Sequence, residues 1–401
     1  MKKTILLLFA VLLLLAACGT ETEQAEPTAS RGAVQAGTFE LTVPPEDKNP
    51  AVEREFVETN DVCYYTCEKW VGGATMDFVY FCPRGGDTFR PLCGKPNCKH
   101  ADENCNACVG YSPVQLGYYD GFLYTTDHSG DTAIKLVKMN LDGTDHQVVA
   151  QVDGSNGMRS FTCQYEFHHG KFFIYYFPGP GESREDRQER RLIVVDLRDY
   201  SQSEPFAEYF RTAERFPDGM HSFCSDKLYG FSYDLTQESL FELDLTTGMM
   251  REITAKNICG MCATDSTLYY FAEDPSADPY LQGYETQKAE PGFRELDLAS
   301  GTVKYCGMPI EDICTVSYGN DYIYARNTFG IEKEESTLYI LNRDYEPVDQ
   351  IKLSAGMRFA AAASDRIYIA EGYPISTISY YIDKAQLGSG ELTLIPIETI
   401  G

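Results

Sequence analysis

The chain has 401 residues, and its 60 acidic and 34 basic side chains give a formal charge of −26. So acidic a chain, with no basic run beyond Arg187–Arg191, would be repelled by a phosphate backbone, which argues against nucleic acid as a partner. An apolar fraction of 43% and 13% aromatic residues supply a sizeable core and exclude disorder for most of the chain.

The first element in chain order is an address. Met1-Lys2-Lys3 forms a short basic region, and Thr4–Leu15 is an apolar run too short to span a bilayer comfortably. It ends in Leu15-Ala16-Ala17-Cys18, which resembles the bacterial lipobox. That resemblance implies a signal peptide over residues 1–17, cleavage before Cys18 and a lipid on that cysteine. A plain secretory leader with a coincidental cysteine is the alternative. No second apolar run of 18 residues follows, so a lipid anchor, not a membrane span, is expected to hold the chain to the cell membrane from outside the cytoplasm. Residues 19–37 are rich in Glu, Thr, Ala, Gln and Gly and lack an apolar period, so residues 18–52 read as the lipidated cysteine and a flexible tether.

From residue 53 onwards the sequence repeats. A turn residue, any residue, an apolar residue and an aromatic recur as Asp61-Val62-Cys63-Tyr64, Gly121-Phe122-Leu123-Tyr124, Gly170-Lys171-Phe172-Phe173 and Asp226-Lys227-Leu228-Tyr229. Ser266-Thr267-Leu268-Tyr269, Asp321-Tyr322-Ile323-Tyr324 and Asp365-Arg366-Ile367-Tyr368 complete seven copies. An alternating apolar and polar run that ends in a turn trails each copy, as in Phe241-Glu242-Leu243-Asp244-Leu245-Thr246-Thr247-Gly248, and one more short strand follows it. Period-two alternation punctuated by Gly, Asp and Asn predicts half-buried antiparallel strands, and nothing of helical period competes. The expected unit is a four-stranded meander repeated seven times. One such sheet cannot bury both faces alone, whereas seven packed radially can, which predicts an all-β protein, a β-propeller over residues 53–401. Six or eight blades is the alternative, because the first interval between aromatics has room for an extra partial blade. The repeats resemble the propellers of secreted bacterial lipoproteins, including the Tol-type propeller and propeller lipoproteins of Gram-positive bacteria. The resemblance covers roughly residues 53–397 and implies the fold, not an activity.

Within the first blade, Gly72-Gly73 suits a two-residue hairpin turn, since both positions can take positive φ. A hairpin centred there sets Cys63 opposite Cys82, either as a disulfide or as two neighbouring core thiols. Next comes a cysteine-rich insertion at residues 93–108. Cys93, Cys98, His100, Cys105 and Cys108 offer thiolates and an imidazole on one tight loop, the donor set of a tetrahedral zinc site. In an oxidising setting the same cysteines would instead pair as disulfides that staple a loop without its own core, and redox chemistry is a third use. An odd cysteine count once Cys18 is lipidated leaves at least one thiol without an intrachain partner.

Ten residues before the repeat aromatics stand Arg54, Cys163, Cys259, Cys314 and Arg358. That offset places them near the start of the innermost strands, at the mouth of a central channel, where arginines can take up an anionic group and cysteines serve as small packing residues. The insertions, Cys93–Cys108 among them with Pro178–Arg190 and Glu273–Gly292, are all expected on one face, and such a face is commonly a binding face. Tyr280, Tyr284 and Phe293 are its candidate contact aromatics. His168-His169 reads as a turn and not as a ligand pair.

No G-x-S-x-G elbow, H-E-x-x-H helix, phosphate-binding glycine loop or EF-hand loop is present, and no catalytic residue is assigned. The expectation is a non-catalytic binding or scaffold module for an envelope protein or glycan. A carbohydrate-active hydrolase or lyase using channel-mouth carboxylates is the alternative, and a zinc- or redox-linked envelope protein is the third.

Overall fold

The computed structural model describes residues 56–400 apart from 112–113, 128–132, 154–160, 179–189, 208–218, 225, 233–238, 254–257, 265, 273–290, 312, 320, 328–334 and 373–376. The leader, Cys18, the tether and Arg54 therefore lie outside the described residues, as do Tyr280 and Tyr284. Among the described residues no helix is long and apolar enough to cross a membrane.

Seven sheets, each an antiparallel run of consecutive strands, with one parallel C-terminal strand added to the first, form the ring of a seven-bladed propeller. The innermost strands are Phe56–Glu58, Leu116–Tyr119, Phe161–His168, Gly219–Cys224, Ile258–Ala263, Thr315–Tyr318 and Met357–Ala362, and they open blades 1 to 7 in that order. The seven repeats sit at the start of the second strand of each blade. The apolar residue before the aromatic is buried in all seven blades, and the aromatic is buried in six, with Tyr269 half-buried. Successive residues of a strand point to opposite faces, so both faces of a blade are covered by its neighbours, as radial packing requires.

The turns that follow the third strands recur for a local reason. Asp244 Oδ1 accepts the Thr246 and Thr247 amides at 3.0 and 2.8 Å, and Asp297 Oδ1 accepts those of Ala299 and Ser300 at 3.1 and 2.6 Å. The chain then passes through a left-handed residue, Gly248 at φ 68° and Gly301 at φ 71°.

Blade 1 departs from the plain meander. Val62–Val71 and Ala74–Pro83 are two ten-residue strands of a hairpin about Gly72-Gly73, at φ 60° and 97°, and Cys63 pairs with Cys82 as that turn predicts. No disulfide joins them. Cys63 instead receives the Tyr368 hydroxyl at 3.7 Å, and Cys82 donates to the Pro83 carbonyl at 3.4 Å, so each thiol has its own partner. Burial pushes the Cys63 thiol up to about 12.

The cysteine-rich segment is placed differently from expectation. Thr88–Pro91 pairs with one end of Ala74–Pro83, and Cys108–Tyr111 pairs with its other end. Between them Leu92 donates to the Val79 carbonyl and Val79 donates to the Ala107 carbonyl, both at 2.8 Å. The segment is thus an excursion within the outermost strand of blade 1, on the rim of the ring, and not a connection between blades on the insertion face. It also accounts for the long first repeat interval without an extra blade.

The ring closes between blades 7 and 1. The C-terminal Glu398–Thr399 adds in parallel to Thr88–Phe89, just after Ile395–Pro396 has completed blade 7. Tyr368 packs on Phe56 and Phe89, and Glu58 accepts from the Ser364 amide at 2.9 Å.

Candidate metal centre

Among the described residues, Cys93, Cys98, His100 and Cys105 bring one ligand atom each to within 4.8 Å of one another. A tetrahedral ion with metal–sulfur bonds of about 2.3 Å holds its sulfurs about 3.8 Å apart, so this spread is close to what such an ion needs. The loop makes the gathering through its own backbone. The Cys98 amide turns back to the Lys95 carbonyl at 3.3 Å, Asn97 and His100 adopt positive φ of 60° and 50°, and the Cys105 and Cys108 amides close tight turns onto Asp102 and Cys105. Lys95 Nζ clips the loop by donating to the Asn104 carbonyl.

The surroundings favour thiolate at Cys93 and oppose it at Cys105. Burial would raise Cys93, but the Lys95 and Asn106 amides donating to its sulfur, with Cys105 and Cys98 alongside, outweigh burial and bring it below the ordinary thiol value. Cys105 is raised to about 12, chiefly by burial, although the Ala107 amide reaches its sulfur at 3.4 Å and His100 Nδ1 lies 3.3 Å from it. Amide N–H groups aimed at sulfur stabilise thiolate, the form that binds metal. Three cysteines and one histidine fill all four positions of a tetrahedron, which suits a closed structural ion and leaves no site for a reactive water.

Cys108, the fifth expected ligand, is not in the group. It is buried in the strand paired with Phe78, and burial raises its thiol.

The expected channel-mouth positions that are described stand at or beside the starts of innermost strands, in four different blades. Cys163 lies half-buried in the inner strand of blade 3, raised to about 11 by burial, and Cys314 immediately precedes the inner strand of blade 6. Arg358 is exposed in the inner strand of blade 7, and Cys259 has its backbone in that of blade 5 while its side chain lies outside the described residues. Phe293 is no contact residue. It is fully buried between blades 5 and 6, with ring centroids 5.1 Å from Phe271 and 4.8 Å from Tyr345. Its strand is covered on both faces, so standing beside an insertion does not expose it. His168 closes the inner strand of blade 3 opposite Lys171, so the turn expected at His168-His169 falls on His169-Gly170, and the two histidine rings stack at 3.8 Å.

Two residues near the tip of the blade 1 hairpin escaped the reading of the sequence. Trp70, the single tryptophan of the chain, is 68% exposed near the tip of the blade 1 hairpin. Lys69, next to it, donates to the His100 carbonyl at 3.0 Å. The Gly72-Gly73 turn, two residues beyond Trp70, was the signal that could have placed both at a hairpin end.

No family model matches the chain, and no curated protein is similar to it in sequence. Among solved structures the chain is similar to a prolyl endopeptidase, at a TM-score of 0.53 and 12% identity over 87% of this chain and 50% of that one. It is also similar to the acylaminoacyl peptidase of Pyrococcus horikoshii, at a TM-score of 0.51 and 10% identity over 86% of this chain and 52% of that one. TolB from Acinetobacter baumannii superposes at 0.40, with 9% identity over 74% of this chain and 64% of that one. The likeness to the two peptidases is one of fold. The chain spans about half the length of each, and fold alone does not carry activity.

Proposed function

We propose that this chain is a lipid-anchored, extracytoplasmic propeller that acts as a non-catalytic binding or scaffold module for an envelope protein or glycan, with a zinc ion closing its Cys93–Cys105 loop. The observation that carries the reading is the blade 1 hairpin, which presents Trp70 to solvent at 68% exposure near its tip. A tryptophan on a short-turned hairpin offers a large contact area at little conformational cost, as binding hot spots do. By topology, the second strands Lys171–Pro178 and Thr267–Ala272 end on the face of the ring that carries the hairpin turn. In the loop, zinc would be held by Cys93, Cys98, His100 and Cys105 and would supply folding free energy, not chemistry.

The test is site-specific photo-crosslinking in intact cells. A crosslinker at position 70 is expected to give discrete adducts, and one at Met249, exposed beside a third-to-fourth-strand turn and so on the opposite face, is expected to give none. Equal labelling from both positions, or none from either, contradicts the binding face. Cys18→Ala should release the chain from the membrane fraction, and retention there would contradict the lipid anchor.

A further inference from the structure

The metal loop and the hairpin meet at a polar contact whose two partners are 31 residues apart in sequence: Lys69 Nζ donates to the His100 carbonyl at 3.0 Å. The same ammonium lies 5.0 and 5.3 Å from the ring centroids of Phe78 and Tyr80, in reach of cation–π attraction, and within the fields of Cys67 and, more weakly, Cys105. A divalent ion held by three thiolates and a neutral imidazole carries a net charge of −1. In a partly buried setting that charge is stabilised by cations close by; Lys95 lies within the ligand loop, and Lys69 adds one from outside it. Across the sheet Lys69 pairs with Met76 and Met76 with Tyr111, so the returning strand of the excursion joins the hairpin on the rung that carries Lys69. Trp70 is the next residue.

We infer that Lys69 is a positioning residue of the metal centre: its ammonium offsets the charge of the loaded site, and its bond to the His100 carbonyl transmits metal occupancy to the Trp70 hairpin. The inference rests on the reading of the four ligands as a zinc site. Outer-sphere partners of this kind are commonly worth ten- to a hundred-fold in metal affinity.

Trp70 is itself the reporter, being the only tryptophan. The full chain in detergent, reduced and stripped by a chelator, is titrated with Zn²⁺ while Trp70 anisotropy is followed; affinity is read separately by displacement of Co²⁺ and its thiolate absorption band. The expected result is a rise in anisotropy that saturates at one equivalent. Lys69→Met should still bind one ion, about tenfold more weakly or worse, and lose the anisotropy step; Lys69→Arg should restore both. Unchanged affinity and an unchanged step in Lys69→Met would overturn the inference, as would a full cobalt band in the unaltered chain with a silent Trp70. Absence of any cobalt band would overturn the zinc reading itself, and the inference with it.

Discussion

The carboxylate of Asp244 does the work of a cap: it accepts two amides and the Thr246 hydroxyl where the strand ends. Burial raises its pKa, but those hydrogen bonds outweigh burial and hold it below the ordinary carboxylate value. A folded-state pKa below the unfolded one, about 3.9, contributes stability that is present above that value and lost as the pH falls towards the folded pKa. Asp244→Ala is therefore expected to cost about 1 kcal/mol at neutral pH, the scale of a lost cap. The gap between variant and wild type in urea unfolding should narrow below about pH 4. Phe293 carries the opposite lesson. Read from sequence it borders an insertion; in the ring it fills the space between two blades, so Phe293→Ala should lower stability by about 3–5 kcal/mol, as for a large core truncation. A midpoint within experimental error of wild type would restore it to the surface. Alternation marks strands reliably, but it cannot say which face is covered when neighbouring blades cover both.

The excursion from blade 1 shows where spacing informs and where it fails. Four of the five expected ligands converge, because C-x4-C-x-H-x4-C places them on one tight loop. Cys108 follows Cys105 at the C-x2-C interval seen in many metal sites, and spacing alone gave no reason to separate it. Strand pairing with Phe78 claims it, and the run Cys108-Val109-Gly110-Tyr111 is too short to announce a strand. The two halves of the split outer strand are four residues each, which is why the insertion read as a link between blades. Cys98→Ser is expected to abolish metal binding with the ring still folded. Cys108→Ser should keep the metal and lose only a little packing. Equal metal loss in both variants would mean that Cys108 is a ligand.

The whole ring depends on a join between distant parts of the chain. Seven repeats were legible because each blade needs an aromatic wedge at the same place; the closure was not, because Ile395–Pro396 and Glu398–Thr399 are two residues each and carry no period. Ile397 between them is buried in the seam. Deleting residues 395–401 removes that side chain together with the parallel pairing to blade 1, and should cost at least about 3 kcal/mol, the scale of one buried isoleucine alone. An unchanged melting temperature would show that the closure is carried by the inner strands. The most direct test is the metal content of the full chain purified without air, weighed intact by native mass spectrometry with its thiols counted. One zinc ion per chain is expected, lost in His100→Ala and retained in Cys108→Ser. A chain without metal, in which Cys93, Cys98 and Cys105 are blocked as disulfides, would contradict it.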